Sequence, residues 1–312
     1  MLTGANSGVG FGCVQRILDH CRPALLCKDL KLILILTVRS KAKADSIIDR
    51  LTKEIEQFGE QLHIQFEMLD LVSISSTEAL CKRLQKQHID SCIFNAGMSD
   101  LERFDLGMFA KQLLTAPIAA LSTPNYNIQR IGGKTADGYG VAFQANLLSH
   151  YYLSKRLAGS IDSIVWMSSL EATAKAFDPE DLQALTHAHA YESSKRLMDV
   201  LYTTVLKQKG HFLVHPGFCA TNIVSTVLPT YLPLGLVQAA WQGCFYALMY
   251  LGSQWHVASA YNGAYAASTL ATSFLLEVDA SRYVGKKMGS AGDRLGQLRL
   301  APTHMDPITA AE

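Results

Sequence analysis

The sequence predicts an α/β chain, doubly wound with helices on both faces of a parallel sheet. A glycine-rich loop, Thr3-Gly4-Ala5-Asn6-Ser7-Gly8-Val9-Gly10, leads directly into the helical pattern Phe11 to His20. Leu32 to Val38 (LILILTV) is a continuous apolar run, the mark of a strand buried on both faces. Helices and strands then alternate along the chain, as right-handed crossovers in a parallel sheet require.

The elements follow in order. Ser46 to Phe58 places Ile47, Leu51 and Ile55 at helical spacing, His63 to Leu69 reads as a strand, Ser75 to Gln87 as a helix and Ser91 to Phe94 as a short strand. The rhythm resumes with a helix from Asp137 to Leu157, a strand Ser163 to Met167, a helix Tyr191 to Lys207 and a strand Phe212 to Val214. A single domain over residues 1–312 is expected, with an insertion at 98–136 too long for an ordinary connection, and so either functional or peripheral. From Gly210 to Leu276 there is no Asp, Glu, Lys or Arg. Residues 222–276 therefore read either as a substrate lid followed by a buried or dimer-interface helix, or as a region of membrane contact; Leu232 to Leu251 has the length of a span, but Gln238, Gln242, Pro229 and Pro233 weaken one.

Composition narrows the class. Charged residues are 18% of the chain and the formal charge is +1, which leaves no basic face for nucleic acid. The seven cysteines lack C-x-x-C spacing, several fall inside apolar runs, and they read as reduced, buried thiols; the ten histidines form no zinc motif, and His187 and His189 read as solvated. No secretory signal fits before the first motif. That motif is preceded only by Met1 and Leu2, so the first strand reads as truncated, and further apolar residues upstream of Met1 are expected.

The chemistry lies at the strand ends. A glycine loop opening a helix lets backbone N–H groups approach a pyrophosphate. Arg39, directly after the second strand, stands where an adenosine ribose would lie; with Ser40 and Lys43 it suits a 2′-phosphate and predicts NADPH, the alternative being a solvated cluster at a helix start. Asp70, after the next strand, could accept from the adenine amino group. Tyr191 and Lys195 at i and i+4 share one helix face, so the ammonium is expected to lower the phenol's pKa. They follow Ser168-Ser169 and precede His215-Pro216-Gly217, the order expected if strand ends converge on one crevice.

Together T-G-x-x-x-G-x-G, Asn95-Ala96-Gly97, Asn146, the serine, Y-x-x-x-K and P-G-x-x-x-T (Pro216, Gly217, Thr221) resemble the short-chain dehydrogenase/reductase family from Thr3 to Thr221. That resemblance implies a Rossmann fold, Tyr191 as general acid, Lys195 on the nicotinamide ribose and Ser169 on the substrate carbonyl, with Ser168 the alternative serine. It also implies Asn146 anchoring a proton-relay water, Thr221 on the carboxamide, Asn95 bracing the central strand and Tyr191 contacting the cofactor.

Gly132-Gly133-Lys134-Thr135-Ala136-Asp137-Gly138, leading into Val141 to Asn146, is similar to the fungal 3-keto-sterol reductases of ergosterol synthesis and to the animal type-7 17β-hydroxysteroid dehydrogenases. This implies NADPH-dependent reduction of a sterol 3-ketone to the 3β-alcohol at the cytosolic face of the endoplasmic reticulum or on lipid droplets. The implied neighbours are the 4-demethylation enzymes and oxidosqualene cyclase. The same residues also suit another lipophilic ketone or aldehyde, such as retinal, while a non-catalytic membrane-docked scaffold would need no intact site.

Overall fold

The computed structural model describes residues 1–219 and 234–309. In chain order it contains β1 (Leu2–Thr3), α1 (Gly8–Leu26), β2 (Leu32–Val38), α2 (Lys41–Phe58), β3 (Leu62–Met68), α3 (Ile74–Leu84) and β4 (Ile89–Phe94). The insertion contributes β5 (Leu101–Phe104), α4 (Leu106–Thr115), α5 (Pro117–Ser122) and β6 (Asn127–Gln129). Next come α6 (Val141–Phe143), a π-turn at Gln144–Leu148, α7 (Ser149–Arg156), β7 (Ile161–Met167), α8 (Ala190–Leu201) and β8 (His211–His215). The chain closes with β9 (Phe218–Cys219), α9 (Leu234–Tyr250), β10 (His256–Ala258), α10 (Ala260–Gly263), α11 (Tyr265–Ala271), β11 (Lys287–Gly292) and β12 (Leu298–Thr303).

Eight strands form one sheet in the order β12-β11-β8-β7-β4-β1-β2-β3. Every neighbouring pair is parallel except β11 with β12. Two residues suffice for β1 to pair on both sides, Leu2 and Thr3 with Leu36 and Thr37, and Leu2 with Ile93. Chain direction across the sheet reverses at β1, which opens a crevice at the carboxyl ends of β1 and β4.

Period-two alternation splits the strands between two cores. Leu34, Leu36, Val38, Val165 and Met167 face α1, α2 and α11, whereas Ile35, Cys92, Phe94, Ile164 and Trp166 face α3, α7 and α8. Burial on both faces explains why these strands read as unbroken apolar runs.

Two expectations are corrected. The helix expected from Asp137 begins at Val141, because Lys134 and Gly140 pair across a turn. Of the apolar region, residues 222–233 lie outside the described residues, while α11, rich in alanine, packs into the core through Ala266, Ala267 and Leu270. The cysteines are all free, but Cys27 and Cys244 are exposed rather than buried. Among the described residues no helix is long and apolar enough to cross a membrane.

Candidate active site

The glycine loop sits at the crevice. Gly10 on the first turn of α1 presses against the loop so closely that a Cβ there would collide with the Gly4 carbonyl oxygen. Ser7, the residue capping α1, is extended and makes no side-chain cap bond, so the amides of Gly8, Val9 and Gly10 at this helix start have no cap from it. Asn6 Nδ2 donates to Ser7 Oγ at 3.3 Å, and Val9 packs on the core. Thr3 Oγ1 accepts from the amides of Asn95 and Ala96, both at 3.0 Å, while Asn95 Nδ2 donates to Thr3 O at 3.0 Å. Asn95, Ala96 and Gly97 thus lie against the end of β1.

Arg39, Ser40 and Lys43 are exposed at the end of β2 and the start of α2. Among the described residues their side chains make no hydrogen bond or ion pair. Asp70 accepts from Val72 N at 3.3 Å in a turn after β3. Pro216 and Gly217 join β8 to β9, and Gly217 N donates to His215 Nδ1 at 3.1 Å. Thr221 lies outside the described residues.

The helix α8 carries Tyr191 and Lys195 one turn apart. Lys195 is buried and donates to Met167 O at 2.6 Å; burial pulls its ammonium down to about 8, with Asp199 opposing and Lys287 reinforcing the shift. Burial also pushes the Tyr191 phenol above its ordinary value, helped by the carboxyls of Glu171 and Glu192 and opposed by the nearby Ser169 hydroxyl. This corrects the expectation that Lys195 lowers the phenol: desolvation wins, and the phenol is protonated at neutral pH.

Asn146 sits in the π-turn, fully buried. Its Oδ1 accepts from Met98 N at 2.8 Å, and its Nδ2 donates to Met98 O at 3.0 Å and to Ser194 Oγ at 2.9 Å. A side chain from one helix therefore joins the loop after β4 to α8, beside Gly97.

The two serines part company. Ser168 Oγ donates to Asp199 Oδ1 at 2.5 Å, whereas Ser169 Oγ accepts from Glu171 N at 3.1 Å and lies near enough to the Tyr191 phenol to favour its ionised form. Ser169, Tyr191, Lys195 and Asn146 converge on one crevice with the glycine loop.

No protein-family model matches the sequence. The chain is 34% identical to a 3-keto-steroid reductase of Schizosaccharomyces pombe over 323 residues, covering 100% of this chain and 92% of that protein. The chain belongs to the 3-keto-steroid reductase family of short-chain dehydrogenases. The Eremothecium gossypii 3-keto-steroid reductase is 30% identical across 96% of this chain and 86% of its own. The fold is also that of solved structures: KRED1-Pglu at TM-score 0.54 and 15% identity, covering 92% of this chain and 98% of that one. An NADPH-dependent 3-quinuclidinone reductase from Rhodotorula rubra gives TM-score 0.53 and 16% identity, covering 92% and 86%.

Several residues of this 3-keto-steroid reductase family member had no signal in the sequence reading. Arg50 reaches from α2 to donate to Asn6 O at 3.1 Å and lies 3.2 Å over the Phe11 ring, bracing the glycine loop. Lys287 on β11 donates to both Asp199 and the Ser169 carbonyl. Arg196 donates to the carbonyls of Asp306 and Pro307, while Asp306 Oδ2 accepts from Ala174 N at 2.7 Å, so the C-terminal segment straps α8 to the loop after Ser169.

Proposed function

We propose that this protein reduces the 3-ketone of a sterol to the 3β-alcohol with NADPH, as a step of ergosterol synthesis. The observation that carries the reading is family membership along the whole chain, together with Tyr191 and Lys195 one turn apart on α8 and Ser169 close enough to the phenol to counter part of its burial. The glycine loop, the amides of the α1 start that Ser7 leaves uncapped and the exposed cluster Arg39, Ser40 and Lys43 fit a pyrophosphate and a 2′-phosphate. When bound, NADPH supplies the hydride.

The chain's own residues do the rest. Tyr191 donates its proton to the carbonyl oxygen as negative charge develops there, and Ser169 donates a hydrogen bond to the same oxygen. A phenol kept neutral by burial is in the protonation state that a reduction needs. Lys195 would hold the nicotinamide ribose, and Asn146 keeps the 95–98 loop and α8 in register.

Peripheral contact with an endoplasmic reticulum or lipid-droplet surface on its cytosolic side, beside other sterol-synthesis enzymes, belongs to the same reading. Its support is apolar exposure on α4 and α5, with Leu114 86% and Ile118 60% exposed, and Leu251 77% exposed after α9. Incubation of the purified protein with NADPH and either a 3-keto sterol or retinal tests the activity. Formation of the 3β-alcohol in step with NADPH loss is expected; turnover of retinal without turnover of the sterol would overturn the substrate class.

A further inference from the structure

The first turn of α8 has no cap of its own. His189 precedes it without a side-chain cap bond, and the first bond that closes the helix runs from Ser193 N to His189 O at 2.9 Å. The amides of Tyr191 and Glu192 come before that bond and have no intrahelical acceptor. Yet Tyr191 N donates at 2.8 Å to Oε1 of Gln129, a residue 62 positions upstream on β6. The other end of the same amide is also used: Gln129 Nε2 donates to Glu192 Oε2 at 2.7 Å. Gln129 is buried, so both of its polar atoms are matched where water cannot replace them.

β6 is held in turn. It pairs antiparallel with β5, which leaves the loop that carries Asn95 to Met98, and Arg130 N donates to Asp100 O at 2.8 Å. The insertion is therefore anchored at one end to the loop bonded by Asn146 and at the other to the amide of Tyr191. A side chain that reaches across the chain to cap a helix at its second residue fixes that residue's backbone, and with it the starting point of the phenol.

We propose that Gln129 is a positioning residue for Tyr191, and that the insertion exists in part to supply this cap. The inference rests on Tyr191 being the proton donor. The phenol must meet a developing alkoxide within hydrogen-bond reach, and a misplacement of about 1 Å can cost about a hundredfold in rate. Gln129 touches neither substrate nor cofactor in this account; it acts through the backbone of Tyr191.

The test uses the full chain with NADPH and a 3-keto sterol, and three variants: Gln129→Met, which keeps the volume without the polar ends, Gln129→Glu, and the exchange Gln129→Glu with Glu192→Gln. Gln129→Met is expected to lower kcat by about tenfold to a hundredfold, with both KM values and the cooperative NADPH-bound melt kept. Gln129→Glu sets two carboxylates against each other and is expected to be slow. The exchange is expected to recover turnover, since the carboxylate at 129 accepts from Tyr191 N–H and from the amide at 192. Unchanged kcat in Gln129→Met, KM values rising along with the loss of kcat, or an exchange no faster than Gln129→Glu alone would each overturn the proposal. If Gln129→Met does not fold, the comparison of Gln129→Glu with the exchange decides it alone. Retained turnover in Tyr191→Phe would instead overturn the role of Tyr191; an inactive Tyr191→Phe beside a fully active Gln129→Met overturns only the role of Gln129.

Discussion

Lys287 Nζ lies 2.6 Å from Asp199 Oδ2 and 2.6 Å from the Ser169 carbonyl, so one buried ammonium ties β11 to α8 and to the end of β7. Both partners are almost wholly buried, at 3% and 1% exposure. Asp199 spends its other oxygen on Ser168. Removing one partner of such a pair leaves an uncompensated charge in the core, which costs about 3–5 kcal/mol, whereas replacing both by apolar groups costs much less. Lys287→Met should therefore lose about that much unfolding free energy in urea, and Lys287→Met with Asp199→Leu should lose less. A double variant no more stable than the single contradicts the pairing.

The serines should separate by phenotype. Ser169→Ala removes a donor aimed at the developing charge and should lower kcat by about 10²- to 10³-fold with a small change in melting temperature. Ser168→Ala strips a bond from buried Asp199 and should lower the melting temperature more than kcat. Kinetics and melts on both variants check this, and the reverse ranking contradicts the assignment.

Arg39 stands exposed and unpaired at the end of β2. A charge-assisted contact with a 2′-phosphate contributes about 1.5–3 kcal/mol, so Arg39→Asp should turn the preference from NADPH toward NADH. An unchanged NADPH-to-NADH ratio in kcat/KM removes Arg39 from the cofactor site.

Glu171 lies two residues past Ser169, its amide donating to Ser169 Oγ at 3.1 Å. Burial, with Glu192 nearby, pushes its carboxyl from 4.5 up to about 8. The native state therefore keeps a proton that the unfolded chain has released. The stability this gives is full below the unfolded pKa and is lost as pH rises through about 8. Glu171→Gln cannot ionise, so its melting temperature relative to wild type should climb between pH 5 and about pH 8.5. Melts across that window check the sign; a constant offset contradicts it.

How much was legible follows from how each element is held. The strand Leu32–Val38 is legible to the residue because burial on both faces writes itself as an apolar run, broken in this strand only by Thr37. β11 was not read at all: its sequence, Lys-Met-Gly-Ser-Ala-Gly, is wholly buried yet small and polar. The reason is space, since a Cβ at Gly289 would collide with the His215 ring and with Trp255. Tyr191 and Lys195 stand out in the sequence because i, i+4 spacing sets them on one helix face, whereas Ser169 and Asn146 rest on the family resemblance alone. Gln129 and Lys287 were not legible, because a polar contact across 62 or 88 residues leaves no local pattern. The phenol's protonation was misjudged for a related reason: spacing reveals a neighbouring charge but not the depth of burial that outweighs it.

In the proposed reaction a neutral Tyr191 protonates the ketone oxygen of a 3-keto sterol. Single-turnover measurement of NADPH loss, with wild type and Tyr191→Phe side by side on the same 3-keto sterol, tests it most directly. Tyr191→Phe is expected to bind NADPH like wild type but to turn over at less than about a hundredth of its rate, a barrier increase of at least about 2.7 kcal/mol. Turnover above about a tenth of wild type, which corresponds to only about 1.4 kcal/mol, would contradict it.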